Sequence, residues 1–193
     1  MTATRAWSSR YGWIATFVWG LAEATVFFIV PDVSVAFVSL LAPRESWKAA
    51  LSAVAGGLVG ATILYVAIRL WLGPHTGDYL LTIPAIHAAT IDKASSAISQ
   101  HGVSALLTAA FTGVPYKVYA AQLTTAGIDL PSLLLWTIPS RALRLFPVAA
   151  GGAILGRVLK RELERRFILW MAAYFLFWAA VYGWYWTRPA STL

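Results

Sequence analysis

Residues 11–42 read YGWIATFVWGLAEATVFFIVPDVSVAFVSLLA, an apolar segment that is interrupted by Pro31 and Asp32. A proline removes a helical hydrogen bond and a carboxylate is costly in hydrocarbon, so a single straight transmembrane helix fits this segment poorly. The apolar stretch that remains after Pro31 is too short to form a second membrane span. We therefore predict a re-entrant hairpin over residues 11–42, in which two half-helices enter and leave on the same side of the membrane and Pro31 forms the tip.

A second broken segment lies at residues 103–128, which read VSALLTAAFTGVPYKVYAAQLTTAGI. This segment is interrupted at Pro115, Tyr116 and Lys117. The same argument predicts a second re-entrant hairpin over residues 103–128, with Pro115 and Tyr116 at its tip.

The two broken segments are related by a constant spacing. Pro115 stands 84 positions after Pro31, and the apolar segments that follow the hairpins start at Trp47 and Pro131, which are also 84 positions apart. Each copy then crosses the membrane once, so the second copy is inverted with respect to the first. Inverted repeats with broken helices are typical of secondary transporters.

Three other segments are apolar and at least about 20 residues long, which is enough to cross a bilayer. They cover residues 47–72, 130–156 and 167–187. The polar stretch 73–102 has apolar residues at helical spacing between Ile91 and Ile98, which predicts an amphipathic helix within a loop. Residues 157–166 form a basic amphipathic segment. The predicted fold is an all-α polytopic membrane protein, one membrane domain over residues 1–193 with two re-entrant helical hairpins, three transmembrane helices and an inverted repeat.

Two groups of glycines predict close contacts between helices, because small residues let helix backbones approach one another in a membrane. One group lies in the predicted span 47–72 and the other in the predicted span 130–156. The groups are Gly56, Gly57 and Gly60, and Gly151, Gly152 and Gly156.

The composition favours a membrane protein and excludes several other classes. The chain is 59% hydrophobic and 12% charged, whereas soluble domains carry about 45–50% apolar and about 25% charged residues. The absence of cysteine from the sequence excludes disulfide scaffolds and thiol chemistry. The sequence contains no zinc-binding spacing, phosphate loop or nucleophile elbow, so we expect no metal site, no cofactor and no enzymatic activity. The net charge of +7 is better explained by cytoplasmic loops and anionic lipids than by a nucleic-acid partner.

The distribution of positive charge predicts the orientation in the membrane. With two hairpins and three spans, nine basic residues fall on one side and two, Lys93 and Arg188, fall on the other. The nine are Arg5, Arg10, Arg44, Lys48, Arg157, Lys160, Arg161, Arg165 and Arg166. Because cytoplasmic loops carry the excess of lysine and arginine, we expect a cytoplasmic N-terminus.

Six charged residues fall within or at the ends of the apolar segments, where an ionised side chain costs at least about 2.5–3.5 kcal/mol on insertion scales. They are Glu23, Asp32, Arg69, Lys117, Arg141 and Arg144. Two acids against four basic groups leave a positive surplus, which an anionic ligand such as phosphate would balance. An arginine binds phosphate through two parallel hydrogen bonds, and a lysine at a helix break supplies a compact charge.

These charges predict a binding site for a phosphate headgroup. The residues expected to contact it are Lys117, Arg141, Arg144 and Arg69. Glu23 and Asp32 are the candidates for proton coupling, because a carboxyl group surrounded by apolar side chains can exchange a proton near neutral pH. The alternative is that the two acids pair with Arg141 and Arg144 for structural reasons alone.

Short motifs surround these charges and the two hairpin tips. They are Glu23-Ala-Thr with Ile29-Val-Pro-Asp-Val33, Gly56-Gly-Leu-Val-Gly60 followed by Tyr65 and Arg69, Gly102 with Phe111-Thr-Gly-Val-Pro-Tyr-Lys-Val118, and Ser140-Arg141 with Arg144-Leu-Phe146. Together, over roughly Phe17 to Gly152, they resemble the DedA family, the bacterial branch of the VTT-domain (SNARE-associated) membrane proteins, and most closely its YqaA-like members. The string from Phe111 to Val118 is the most specific part.

The resemblance implies a fold with two opposed re-entrant hairpins in the bacterial cytoplasmic membrane. It also implies an activity in moving lipids across the bilayer, such as recycling of undecaprenyl phosphate or scrambling of phospholipids, often linked to the proton gradient. The family's acidic residues match Glu23 and Asp32. Its basic residues match Arg141 and Arg144, and Lys117 occupies the tip of the second hairpin.

Three positions depart from the family pattern. Asp32 stands where many members have Glu, and Ile68 stands where a glycine commonly precedes the arginine. The second tip reads Pro-Tyr-Lys in place of the Pro-Gly-x-Arg of the main branch. The substrate of the main branch therefore does not carry over directly to this chain.

The expected function is that of a flippase or scramblase, a transporter that moves an anionic lipid, either a polyprenyl phosphate or a phospholipid, with coupling to protons. The expected partners are phosphate-bearing membrane lipids and protons, and self-association of the chain is left open. One alternative is a transporter of small ions or metal cations that uses Glu23 and Asp32 as ligands. Another is a non-transporting membrane scaffold whose buried charges only pair with one another.

Overall fold

The computed structural model describes residues 10–109 and 111–187, and all regular secondary structure within these ranges is helical. The α-helices are α1 (Arg10–Thr25), α2 (Asp32–Leu41), α3 (Ser46–Ala67), α4 (Thr76–Thr82), α5 (Ala88–His101), α6 (Ala105–Thr108), α7 (Tyr116–Thr125), α8 (Leu130–Val158), α9 (Lys160–Arg165) and α10 (Phe167–Thr187). A π-helical turn (Ile68–Leu72) and a 3-10 turn (Gly73–His75) connect α3 to α4, and a second 3-10 turn (Gly102–Ser104) connects α5 to α6. The predicted all-α class is confirmed.

Both broken segments consist of helices separated by a short irregular stretch. Helix α2 begins directly after Pro31, and α7 begins directly after Pro115. A proline is well tolerated at the start of a helix, because its fixed φ suits the helix and its missing N–H group is not needed there. The indole Nε1 of Trp19 donates a hydrogen bond to the Ile29 carbonyl oxygen (3.0 Å), which holds the first irregular stretch against α1.

The helix boundaries repeat with the same 84-residue spacing as the two prolines. Helices α2 and α7 are both 10 residues long, and they begin at Asp32 and Tyr116. Helices α3 and α8 begin at Ser46 and Leu130, which are again 84 positions apart. The two halves differ in their first arm. Helix α1 is continuous over 16 residues, whereas its counterpart is divided at Gly102, which has a φ of +59°.

The two amphipathic segments of the sequence are also helical. Helix α5 contains the stretch from Ile91 to Ile98, and Ala94 in its middle is fully buried. Helix α9 lies within residues 157–166, and Leu163 is its buried residue. In both helices, therefore, the apolar positions face the rest of the protein.

Glycines allow α1 to pack closely against α3. A Cβ atom at Gly56 would lie 2.0 Å from the Phe17 carbonyl oxygen, and one at Gly60 would lie 2.6 Å from the Leu21 carbonyl oxygen. A side chain cannot be placed at these distances, so the two helix backbones are in direct contact.

Helix α8 packs against α2 in the same way. Gly152 approaches Ala36, and a Cβ atom at Gly156 would lie 2.3 Å from the Leu40 carbonyl oxygen. A Cβ atom at Gly151, by contrast, would meet no other described residue within 4 Å. Two of the three predicted glycine contacts on this helix are therefore present.

These contacts determine the relative directions of the long helices. Along α8, Arg144 contacts Asp32 at the start of α2, and Gly156 contacts Leu40 near the end of α2. Helices α2 and α8 therefore run in the same direction. Since α3 begins shortly after α2 ends, the start of α3 lies near the end of α8, and α3 and α8 are antiparallel.

Helices α3 and α8 cross at a pair of equivalent positions. Gly57 and Arg141 are 84 positions apart in the sequence. A Cβ atom at Gly57 would lie 3.4 Å from Nε of Arg141, so the two residues are in contact. When the two copies of a repeat are related by a twofold axis, two equivalent helices that cross at this axis contact each other through equivalent residues.

Among the described residues, two helical stretches are long and apolar enough to cross a membrane, Ser46–Thr82 and Phe167–Trp184. The second stretch has no part of its apolar window buried inside the protein. The sequence predicted a further span over residues 130–156, which correspond to helix α8. This helix is long enough to cross a membrane at 29 residues, but its mean hydropathy is too low for it to count as a third such stretch. The cause is the pair Arg141 and Arg144 near its middle, which lowers its mean hydropathy.

The close approach of α1 and α3 is tested by Gly56→Ala. We expect this change to destabilise the protein by about 1–3 kcal/mol, because the new methyl group overlaps the Phe17 carbonyl and forces the helices apart. Gly151→Ala is the matched control, since a methyl group there meets no other described residue. Thermal unfolding of the detergent-solubilised protein measures both, and equal melting temperatures would contradict the packing.

Candidate functional site

Charged side chains from four helices meet in the interior of the protein, and we call them the central cluster. Its members are Glu23 on α1, Asp32 on α2, Lys117 on α7, and Arg141 and Arg144 on α8. Four of them are buried, and the most deeply buried, Lys117, is only 1% exposed. The Arg144 side chain is 31% exposed. The structure thus brings together residues that lie far apart in the sequence. The sequence had already singled them out, because they are charged residues within or at the ends of apolar segments.

Arg141 is held from three sides. Its Nη2 lies 2.5 Å from Oε2 of Glu23. Its guanidinium group lies 4.0 Å from the centre of the Tyr116 ring, a cation–π contact, and the Tyr116 hydroxyl is hydrogen-bonded to Thr137 (2.5 Å). Gly57 leaves space for the guanidinium group on the side of α3. Glu23 is therefore part of an ion pair and is not the isolated acid that its apolar neighbours in the sequence suggested.

The second ion pair, between Asp32 and Arg144, is less enclosed. Arg144 Nε donates to Asp32 Oδ1 at 3.0 Å. The other carboxylate oxygen of Asp32 is buried and has no hydrogen-bond partner among the described residues. Since Arg144 is also partly exposed, this pair leaves one oxygen and part of one guanidinium group available to a further ligand.

Lys117 binds a backbone carbonyl group. Its ammonium group donates to the Phe27 carbonyl oxygen at 2.8 Å, and no carboxylate lies within 4 Å of it in the described part of the chain. Phe27 belongs to the irregular stretch between α1 and α2, where the helix break leaves carbonyl groups without helical partners. Because Lys117 is in the first turn of α7, this hydrogen bond joins the tips of the two broken segments.

The central cluster has an excess of positive charge. It contains three basic groups and two carboxylates, and each carboxylate is bound by one arginine. The basic group that has no carboxylate partner within 4 Å among the described residues is Lys117. A buried charge without a counter-ion is unfavourable, so an anion close to Lys117 and Arg144 would stabilise the cluster. The arrangement has the composition of an anion-binding site.

Arg69 lies outside the central cluster, which corrects the expectation that four basic residues surround one phosphate group. It is exposed and belongs to the π-helical turn that follows α3. Arg69 is 12 residues beyond Gly57, the residue that contacts Arg141. At a rise of 1.5 Å per residue, this spacing corresponds to about 18 Å along the helix. The physical reason is that α3 continues for ten residues beyond Gly57, to Ala67, before the π-helical turn that contains Arg69.

Two tyrosines of α10 bind the irregular stretch beside the central cluster. The Tyr182 hydroxyl accepts a hydrogen bond from the Val30 N–H group at 2.8 Å, and the Tyr174 hydroxyl donates one to the Val33 carbonyl oxygen. Sequence reasoning missed both contacts, because residues 167–187 look like a plain apolar span. The available signal was the aromatic series Tyr174, Trp178 and Tyr182, whose spacing of four residues places it on one side of a helix.

No group of three or more His, Cys, Asp or Glu side chains in residues 10–109 and 111–187 could hold a metal ion. Comparisons with protein-family models, with curated proteins and with solved structures find no match for this chain. The function is therefore argued from the chemistry of the central cluster and from its position in the fold.

The buried ion pair is tested by a double-mutant cycle. We expect Arg141→Gln to cost about 3–5 kcal/mol, because it leaves the Glu23 carboxylate buried without its partner. The double variant Glu23→Gln with Arg141→Gln is expected to be more stable than Arg141→Gln alone, since two amides can bind each other without a buried charge. Denaturant unfolding of all four proteins measures the coupling. Strictly additive losses would mean that the two side chains do not act as a pair.

The attachment of α10 is tested by Tyr182→Phe combined with Tyr174→Phe. Each change removes one hydrogen bond, worth about 0.5–1.5 kcal/mol, and keeps the ring. We expect faster amide exchange in α10 and in the irregular stretch around Val30. Leu176→Ala is the control, because Leu176 is exposed on the same helix. Unchanged exchange in the double variant would show that the two hydroxyl groups do not hold α10 in place.

Proposed function

We propose that this protein is a polytopic membrane protein that moves the phosphate headgroup of an anionic lipid across the bilayer, as a flippase or scramblase. The observation that carries the proposal is the buried central cluster, which has one basic group more than it has carboxylates. An interior with surplus positive charge favours an anion. A small-cation transporter with Glu23 and Asp32 as ligands is disfavoured, because an arginine already occupies each carboxylate.

The proposed topology has two re-entrant hairpins and three spans, arranged as an inverted repeat. The 84-residue offset of the helix starts supports the repeat, and the antiparallel crossing of α3 and α8 supports the inversion. In inverted repeats the substrate site lies near the middle of the membrane, at the interface between the two copies. The contact of Arg141 with Gly57 at the crossing point supports this location for the central cluster.

The depth of the cluster in the bilayer follows from its position along α3. Gly57 is 11 residues from Ser46, where α3 begins. This spacing corresponds to about 16 Å, or roughly half of the hydrocarbon core of about 30 Å. A lipid headgroup crossing the membrane would therefore meet the cluster near the midpoint of its path, where polar contacts are needed most.

The proposed orientation follows from the basic residues at one end of the protein, which we call the basic end. This end contains the end of α2, the start of α3 and the end of α8. Its basic residues are Arg44, Lys48, Arg157, Lys160, Arg161, Arg165 and Arg166. The positive-inside rule assigns the basic end to the cytoplasm. Lys48 lies 4.6 Å from the Trp13 ring, so α1 also starts at this end, which supports a cytoplasmic N-terminus.

In the proposed mechanism a phosphate group exchanges with the carboxylate of Asp32. Arg144 is the most accessible base of the cluster, and its partner Asp32 holds it through a single hydrogen bond. When phosphate takes the place of the carboxylate, the guanidinium group of Arg144 binds it through two parallel hydrogen bonds. We propose that proton coupling involves Asp32, whose ion pair is the more accessible of the two, while Glu23 keeps Arg141 in position.

The lipid tail has no need of the cluster and stays in the bilayer. Helix α10 has large exposed apolar side chains, and it lies beside the irregular stretch through its two tyrosine contacts. Such a surface suits contact with acyl or prenyl chains, because it is apolar on nearly all sides. Only the headgroup then requires a polar path, which a chain of 193 residues can provide.

The proposal is tested in proteoliposomes with a labelled phosphatidylglycerol and a labelled polyprenyl phosphate, and with phosphatidylcholine as the zwitterionic control. We expect Lys117→Met to lower the rate of translocation at least about tenfold, because it removes the surplus charge and leaves both ion pairs in place. Arg161→Gln is the matched control, since Arg161 is an exposed base at the basic end. Asp32→Asn is expected to abolish the response to an imposed pH gradient.

Two results would contradict the proposal. One is an absence of translocation for both anionic lipids by wild-type protein that is folded and reconstituted. The other is a normal rate for Lys117→Met, which would show that the surplus charge has no role in transport.

A non-transporting scaffold is the second candidate, and the ion pair that each buried carboxylate forms with an arginine favours it. The exchange of partners in Glu23→Arg with Arg141→Glu separates the two functions. A scaffold is expected to keep its stability and its cellular function, because the ion pair is preserved. A transporter is expected to lose translocation, since the guanidinium group moves from α8 to α1.

A further inference from the structure

A cavity of about 520 Å³ lies at the end of the protein opposite the basic end. Its walls are the π-helical turn after α3, the residues 73–77 that follow it, and the last turn of α7. It contains no member of the central cluster. Gln122 is the lining residue of α7 nearest to Lys117 and stands five residues after it, so the cavity begins about 8 Å along that helix from the cluster.

The shape of the cavity is set by the way α3 ends. The helix widens into the π-helical turn Ile68–Leu72, a type of turn that often marks functional positions. Gly73 follows with a φ of +45°, a conformation that favours glycine, and redirects the chain. The Thr76 hydroxyl donates to the Gly73 carbonyl oxygen at 2.7 Å and fixes the turn. The chain thus curves around a space that no side chain fills.

The groups facing this space are suited to an anion. Arg69 supplies a guanidinium group, which lies 6.0 Å from the centre of the Tyr65 ring. Gln122 accepts a hydrogen bond from the Ser95 hydroxyl through Oε1 (3.3 Å), which leaves its amide N–H groups free to donate. None of the residues that line the cavity is acidic. One cationic and one neutral donor group therefore converge on an open space without a competing carboxylate.

We propose that this cavity is a second phosphate-binding site, in which Arg69 binds the phosphate oxygens through its paired N–H groups and Gln122 donates a further hydrogen bond. The planar guanidinium group matches the geometry of a phosphate monoester or diester. A volume of about 520 Å³ accommodates the phosphate together with a small substituent such as glycerol. The ligand is therefore free phosphate or a phospholipid headgroup.

The location favours a headgroup, and this part of the argument rests on the proposed topology. Arg69 lies about 18 Å along the helix from the level of the central cluster. Half of the hydrocarbon core is about 15 Å thick. If the cluster lies at the midplane, Arg69 is level with the headgroups of the leaflet away from the basic end. A lipid would then occupy this site before or after its passage past the cluster.

The test uses the full chain in nanodiscs of phosphatidylcholine and measures the broadening of the ³¹P resonance of inorganic phosphate, with protein-free nanodiscs as the baseline. We expect saturable broadening for the wild-type protein and at least a tenfold weaker affinity for Arg69→Gln. Arg69→Lys is expected to retain part of the affinity, because it keeps the charge and loses the paired donors. Arg161→Gln, at the basic end, is the control and is expected to match the wild type.

A second arm distinguishes the two sources of phosphate. If phosphatidylglycerol in the nanodisc suppresses the binding of inorganic phosphate by the wild-type protein, the site takes a lipid headgroup. If it has no effect, the site takes free phosphate. Equal binding by the wild type and Arg69→Gln, or no saturable binding by the wild type, would overturn the proposal.

The outcome is independent of translocation. Lys117→Met removes the proposed anion contact of the central cluster, and Arg69→Gln is expected to weaken phosphate binding by the same factor in this background as in the wild type, because the two residues belong to separate sites. Intact phosphate binding in a protein that moves no lipid would therefore contradict the proposed transport function and leave this second site standing. Loss of phosphate binding in a protein that translocates lipid normally would contradict the second site and leave the proposed transport function standing.

Discussion

The ion pair between Glu23 and Arg141 is the interaction on which the rest of the structure depends. An apolar interior tolerates neither charge alone, so α1 and α8 must meet at this point. The Arg141 guanidinium group also packs against Gly57 of α3 and lies over the Tyr116 ring of α7. One electrostatic requirement therefore brings α1, α3, α7 and α8 together, although Glu23 and Arg141 are 118 positions apart in the sequence.

The broken helices impose a second requirement, because backbone groups released from a helix must find other partners inside an apolar structure. Side chains from distant elements provide them. Lys117 binds the Phe27 carbonyl oxygen, Trp19 binds that of Ile29, and Tyr182 binds the Val30 N–H group. The irregular stretch is thus stabilised by polar groups, and the same groups create the polar region in which the proposed substrate would bind.

The distribution of basic side chains links the two proposed sites. The central cluster includes Arg141, which contacts Gly57 near the middle of α3, and Arg69 lies in the π-helical turn directly after α3. Helix α3 therefore relates the depths of the two sites. Helix α10 has no counterpart in the 84-residue repeat, and its contacts with the first irregular stretch make the two halves of the protein unequal. In the described part of the chain, this asymmetry places an apolar surface beside the irregular stretch of the first broken segment.

The sequence by itself determined the helical class, the two breaks at Pro31 and Pro115, and the 84-residue spacing, because these depend on local backbone chemistry and on hydropathy along the chain. It also identified the charged residues that need partners, since charge within an apolar segment is visible without a structure. The tertiary structure decided which acid binds which arginine, that Lys117 binds a carbonyl group, and that Arg69 lies apart. These outcomes depend on the directions and crossing points of helices that are distant in sequence, which no local pattern encodes.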